Sequence, residues 1–309
     1  MGKSMLTEHQ PLSSQSPEIV QPTFLRQLEQ RWSQGKIVCI GLDPDFSQIP
    51  HIVTAAIPAT NPDLPARDTH REDILFRFNQ QIIDATADLV CAYKPNAAFY
   101  EAQGEQGLRA LIRTIRYIKA NYSTIPIILD AKRADIGSTN IGYAQAAFDV
   151  LGVDAITVHP YLGKEALSPL LDRSEKGILV LVRTSNPGAG EFQDLKVGEA
   201  QEPLYQVVAR NVANAWNKNG NCAVVVGATY PRELAEVRAI IGDMPILLPG
   251  IGVQGGEVAV AVKAGKAHRN LGLIISVSRG IIFAANNADF AQAARQVTQQ
   301  LTAEINKYR

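Results

Sequence analysis

Cysteine is scarce, with three residues in a chain of 309. Cys39, Cys91 and Cys222 are odd in number, and each sits in an apolar run. That pattern excludes a disulfide-stapled scaffold and a Cys-built metal centre, and it points to buried reduced thiols. The five histidines show no ligand spacing, so neither a metal nor a cofactor is expected. Net charge is lacking too: thirty basic residues balance thirty acidic ones. The long-range field that recruits nucleic acid or an anionic membrane surface is therefore missing. No run approaches the roughly twenty apolar residues of a transmembrane helix. The opening residues carry no signal-peptide core. Gly2 begins like a myristoylation site, but Leu6 stands where that motif requires Ser or Thr. The cytoplasm is the expected compartment, and neither nucleic acid nor membrane is an expected partner.

With 46% hydrophobic and 19% charged residues, the chain can fill one large barrel or two ordinary domains. Residues 1–21 are polar, with Ser13, Ser14 and Ser16 between Pro11 and Pro17, and read as a flexible N-terminal arm. Residues 22–309 read as one domain. From Pro22, the spacing of Phe24, Leu28 and Trp32, with a stop at Gly35, predicts a helix across a barrel floor. Apolar runs at Lys36 to Leu42, Asp88 to Tyr93, Ile125 to Leu129, Val153 to Val158, Gly177 to Val182, Cys222 to Val226, Pro245 to Leu248 and Gly272 to Val277 read as strands. Such continuous Val, Ile and Leu runs suit strands buried on both faces of a parallel sheet. Helical periodicity falls between them, over Glu72 to Ala87, Gln106 to Ala120, Asn140 to Leu151, Glu202 to Asn217, Arg232 to Ile241 and Gly256 to Ala264. A last helix over Ala288 to Asn306 closes the chain. The order predicts an α/β fold, a single (β/α)8 TIM barrel. A doubly wound sheet is disfavoured, because no Gly-x-Gly-x-x-Gly follows the first strand.

Active sites of such barrels are built at the C-terminal ends of the strands, and polar residues gather there. Strand one ends in Gly41-Leu42-Asp43-Pro44 and strand two in Tyr93-Lys94-Pro95-Asn96. Strand three runs into Asp130-Ala131-Lys132-Arg133-Ala134-Asp135-Ile136-Gly137-Ser138-Thr139. Strand four ends at His159-Pro160-Tyr161, and strand five runs into Thr184-Ser185-Asn186. Strand seven enters the glycine-rich run Gly250-Ile251-Gly252-Val253-Gln254-Gly255-Gly256, and strand eight ends in Ser278-Arg279-Gly280. The last two have the composition of a phosphate site, with free backbone N–H groups and a guanidinium fork.

In an extended strand Asp130 and Lys132 share a face with Ile128, which predicts an inward-pointing pair. Each member then needs a partner, because an unpaired buried charge is costly. Ordinary alternatives stand beside each feature. The pair also reads as a structural ion pair, Asp43 before Pro44 as a turn residue, Lys94 as a snorkelling side chain, and the glycine run as a plain loop. His159 reads as structural.

The central segment resembles the Asp-x-Lys-x-x-Asp signature of the orotidine 5′-phosphate decarboxylases, in the Asp-Ala-Lys-Arg-Ala-Asp-Ile-Gly-Ser-Thr form of one bacterial branch. Further motifs of that family recur in order from Gly41 to Gly280. The resemblance implies that Asp43 and Lys94 bind ribose hydroxyls, and that Lys132, Asp130 and Asp135 surround the departing carboxylate as catalytic residues. Thr139 is implied to enter the neighbouring subunit's site with Asp135 and Ile136. Ser185 is implied to read the pyrimidine. Gln254 and Arg279 are implied to grip phosphate, in the turns that also hold Gly252 and Gly280. The implied activity is metal-free decarboxylation of orotidine 5′-phosphate to UMP, without cofactor, in a homodimer with shared active sites. A long first loop, Asp45 to Arg71, departs from the shorter form of many relatives.

Two rivals fit parts of the pattern. A Mg-dependent sugar-phosphate decarboxylase or hexulose-phosphate synthase of the same wider group shares the signature, but its second strand ends in an acidic metal ligand where this chain has Lys94. A non-catalytic phosphate-binding barrel would keep Arg279 and the glycine turn, yet has no need of paired Asp130 and Lys132.

Overall fold

The computed structural model describes residues 23–57, 70–252, 255–268 and 272–309. The expected arm at 1–21, the middle of the long first loop and Gln254 lie outside the described residues. Eight strands, β1 Val38–Leu42, β2 Ala92–Pro95, β3 Ile128–Arg133, β4 Ala155–Val158, β5 Gly177–Arg183, β6 Cys222–Val226, β7 Ile246–Pro249 and β8 Leu273–Val277, form one sheet. Each neighbouring pair in it is parallel. The order β2-β1-β8-β7-β6-β5-β4-β3 brings β2 back beside β3, where bridges Tyr93–Ile127 and Asn96–Asp130 close the ring. This is the (β/α)8 barrel that the apolar runs predict. Every β1, β6 and β8 residue is buried, as strands covered on both faces must be.

Helix α1 (Thr23–Ser33) crosses the floor, as its stripe of Phe24, Leu28 and Trp32 predicts. Its Arg31 donates to the Val90 and Ala87 carbonyls below β2. Phe24 packs onto Gly177 at the start of β5, so closely that a Cβ there would lie 2.2 Å from its ring. The outer layer holds α2 (Arg71–Thr86), α3 (Gly104–Asn121), α4 (Gly137–Ala144), α5 (Gly163–Leu171), α6 (Leu204–Asn211), α7 (Pro231–Ile241), α8 (Gly255–Gly265) and α9 (Phe290–Asn306). Phe78 of α2 stacks between Phe283 and Phe290, at 5.3 Å from each, and so ties the helix after β1 to the one that closes the chain.

Two helices depart from the sequence expectation. The one predicted over Asn140 to Leu151 starts earlier and loosens into wide turns over Gln145–Val150. The one predicted from Glu202 begins at Leu204, because Glu202–Pro203 pairs antiparallel with Lys196–Val197. Cys39, Cys91 and Cys222 are buried and unpaired. No helix among the described residues is long and apolar enough to cross a membrane.

Candidate active site

At the C-terminal ends of β2 to β7 lies a cavity of about 470 Å³, within the size of small-molecule sites. Lys94, Asp130, Lys132, Thr157, Ser185 and Gln193 supply much of its polar lining, and Leu181, Val225 and Leu247 much of its apolar floor. A larger cavity, about 600 Å³, opens near α1 at the other end among Leu25, Trp32 and Met244. Among the described residues no Lys or Arg lines it, so it presents no cation to an anionic ligand there.

The cavity is organised by one carboxylate between two ammonium groups. Asp130 Oδ2 accepts from Lys94 Nζ at 2.7 Å, and Oδ1 accepts from Lys132 Nζ at 2.6 Å. Burial opposes ionisation of Asp130, but Lys94 and then Lys132 outweigh it and hold the carboxyl well below the usual carboxylate range. For Lys94, burial alone would favour the neutral amine, yet Asp130 and Asp43 raise its pKa. Lys94 therefore serves as a cation at neutral pH. Lys94 is almost wholly enclosed, whereas the Lys132 side chain is 51% exposed and faces the open cavity. Burial also pushes the Cys39 thiol, close below the site on β1, up to about 12, which removes it as a thiolate nucleophile.

Asp130 and Lys132 do converge, but not by the alternation of a regular strand. Leu129 pairs with Ile156 and Arg133 with Val158, so residues 130–132 bulge opposite Thr157 alone. Within that bulge Lys132 has φ +48°, a left-handed conformation that non-glycine residues seldom adopt. The Thr157 hydroxyl accepts from the Ala131 and Lys132 N–H groups at 3.1 and 3.0 Å and donates to Asp130 Oδ1 at 2.9 Å. Sequence reasoning missed Thr157, since its partners lie 25 to 27 positions away on another strand.

Asp43 ends β1 with one oxygen bound and one free. Ser278 Oγ donates to its Oδ2 at 2.6 Å, while the buried Oδ1 has no hydrogen-bond partner among the described residues. Gly41 permits this approach, because a Cβ there would lie 2.6 Å from the Ser278 Cβ. Ser278 thus links the end of β8, next to Arg279, to the end of β1. It too was not foreseen, its partner being 235 positions away. Arg279 and Gly280 are exposed at the start of a one-turn helix, Arg279–Ile282, and Gly252 is exposed after β7.

Ser185 packs against Gly227, where a Cβ would lie 2.7 Å from its own. Its loop is fixed from both sides. Arg183, buried beneath, clasps Asp194 through Nε and Nη2 at 2.8 and 3.0 Å and stacks on the Tyr230 ring. Gln193 Oε1 accepts from the Thr184 N–H at 2.8 Å.

Asp135, Ile136 and Thr139 do not line this cavity. Asp135 is half-buried at the rim, where its carboxylate accepts from the Ile136 N–H and its main chain is clasped by Asn140. Thr139 and Ile136 point outward and are exposed. His159 is also outside the lining, and its N–H donates to the Arg133 carbonyl.

Comparison with known proteins agrees with this geometry. The chain is 50% identical over 289 residues to an orotidine 5′-phosphate decarboxylase of Thermomicrobium roseum, covering 93% of this chain and 96% of that one. It is 47% identical over 285 residues to the protein of that name from Cellvibrio japonicus, covering 92% and 98%. Among solved structures, OMP decarboxylase of Leishmania donovani superposes with a TM-score of 0.74 at 35% identity, covering 92% of this chain and 99% of that one. The UMP synthase of the same organism superposes with a TM-score of 0.78 at 36% identity, covering 93% of this chain and 56% of that longer one. Residues 37–296 match the model of the "Orotidine 5'-phosphate decarboxylase / HUMPS family", and the chain belongs to that family.

Proposed function

We propose that this chain decarboxylates orotidine 5′-phosphate to UMP, a step of pyrimidine biosynthesis, without a cofactor. The observation that carries the reading is the Lys94–Asp130–Lys132 array at the head of a cavity whose other polar groups suit a nucleotide. The reaction breaks the bond from C6 to the carboxylate carbon and leaves the electron pair on C6, in the plane of the ring and orthogonal to its π system. Such an anion is poorly delocalised, so preorganised positive charge must stabilise it. Lys132 supplies that charge next to C6 and then transfers a proton to it, giving UMP and CO2. Asp130 holds the ammonium in place, so little reorganisation accompanies the charge shift. Asp43, through its free Oδ1, and Lys94 take the ribose hydroxyls. Ser185 reads the pyrimidine. Arg279, Gln254 and the turns at Gly252 and Gly280 take the phosphate, whose binding energy far from the bond that breaks stabilises the closed complex.

The Mg-dependent relatives of the wider group are the second reading. Against it, the Lys94 ammonium lies 2.7 Å from Asp130, in the place where such an enzyme has an acidic ligand, and it repels a divalent cation. Incubation with orotidylate, and separately with a hexulose phosphate and Mg²⁺, separates the two. Release of CO2 with UMP from the first alone is expected, and turnover of the second alone refutes the proposal.

The working unit is a homodimer with shared sites, and two features support it. Asp135 and Thr139 lie on the rim outside their own cavity. Around them Ile136, Ile141, Val150, Tyr161 and Leu162 are exposed on packed α4 and α5 and their flanks, an apolar face of the kind a second copy covers. There Asp135 and Thr139 enter the partner's cavity, Asp135 beside the departing carboxylate. The compartment is the cytoplasm, where the three buried thiols stay reduced.

A further inference from the structure

We infer that Thr157 is a positioning residue for Lys132, one whose single hydroxyl sets both the lysine's backbone and its carboxylate partner; the inference rests on the decarboxylase reading above. Thr157 lies on β4, almost wholly buried, facing the β3 bulge. Three residues of β3 stand there against one of β4, so the bulged N–H groups fall out of register with the β4 carbonyls. The threonine hydroxyl takes their place. It has one proton and two lone pairs, and all are used: two N–H groups are accepted, from Ala131 and Lys132, and the proton goes to Asp130 Oδ1.

Those contacts act on the same two groups that perform the chemistry. The N–H of Lys132 is held where φ is +48°, a conformation the chain leaves once its hydrogen bond is gone. Asp130 Oδ1 receives both the Thr157 hydroxyl and the Lys132 ammonium, so the hydroxyl also fixes the oxygen that aims the ammonium. A hydrophobic residue of the same shape in this place would fill the space and keep strand β4, but would leave two part-buried N–H groups without this acceptor. Lys132 would then relax towards the extended form, and its ammonium would leave the spot that only the transition state needs. Groups assigned to ribose and phosphate, Asp43 and Arg279, do not touch Thr157.

The test is steady-state kinetics with orotidylate on the full-length wild type, Thr157→Val and Thr157→Ser, with Tm measured alongside. Thr157→Val is expected to lower kcat by at least about tenfold while KM stays within about threefold, the pattern of an interaction made only in the transition state. Thr157→Ser keeps the hydroxyl and is expected to hold kcat within about threefold of wild type. If Thr157→Val does not fold, Thr157→Ala is read in its place. Hydroxyl-free variants with wild-type kcat, or a loss that Thr157→Ser shares in full, overturn the inference while an active wild type leaves the decarboxylase reading intact. A wild type that does not turn over orotidylate overturns that reading itself, and the inference with it.

Discussion

Lys94 and Asp130 meet at 2.7 Å from neighbouring strands, each side chain nearly shut off from solvent. Removing one member of such a pair strands the other charge, at a cost of about 3–5 kcal/mol. Asp130→Asn is therefore expected to be strongly destabilised at pH 7 in urea unfolding. The pH dependence follows from the direction of each shift. The Asp130 carboxyl is held below its unfolded value of about 3.9, so its contribution is complete above that pH and is lost as pH falls through the folded value. Lys94 is raised above its unfolded value of about 10.4, so its contribution is complete below that pH and is lost only as pH rises through the folded value. The gap between wild type and Asp130→Asn should shrink on going from pH 7 to pH 3. A gap that widens in acid would contradict an ionised, paired Asp130.

Ser278 restrains Asp43 through one bond of 2.6 Å to a carboxylate oxygen. A charge-assisted bond of this kind contributes about 1.5–3 kcal/mol. Ser278→Ala should then weaken UMP binding by about tenfold or more, measured by calorimetry, and lower Tm by a few degrees. Unaltered UMP affinity would remove Asp43 from the ribose site or Ser278 from its support.

Arg279 is exposed beside the turn assigned to phosphate. Arg279→Ala should depress kcat/KM for orotidylate far more than for the nucleoside orotidine, because only the nucleotide can use the cation. Equal losses on both substrates would show that the arginine acts elsewhere.

The shared-site dimer makes a quantitative prediction. Lys132→Ala and Asp135→Ala chains should each be nearly inactive alone. In a mixed dimer one site receives both lesions and the other receives neither. Random pairing makes half the dimers mixed, with half their sites whole, so about a quarter of wild-type activity should return on co-refolding. If activity stays at the level of the single mutants despite proven subunit exchange, Asp135 acts within its own chain.

Much of the barrel was legible because each strand is a short unbroken apolar run, a local signal that needs no partner. Helix α5 was not, since it opens at Gly163 and holds Pro169 in its interior, signals that ordinarily break a helix. The fold tolerates it because the Ser168 hydroxyl binds the Glu165 carbonyl that Pro169 cannot reach. In the site, Asp130, Lys132 and Lys94 were legible from motif and strand-end position. The alternation argument reached the correct pairing by an incorrect route, because the bulge and the left-handed Lys132 are set by pairing with β4. Thr157 and Ser278 were hidden for the same reason: their partners are remote in sequence, and neither breaks a local pattern. Asp135 and Thr139 read as site residues from the family resemblance alone, and neither lines the cavity of its own chain.

The central claim is that Lys132 drives loss of CO2 without a metal. It is tested most directly by following the orotate chromophore in the ultraviolet, with orotidylate and excess EDTA, for wild type and Lys132→Ala. The account predicts undiminished loss of absorbance by the chelated wild type and a fall of several orders of magnitude in Lys132→Ala. Activity abolished by EDTA and restored by Mg²⁺, or a Lys132→Ala enzyme as fast as wild type, would contradict it.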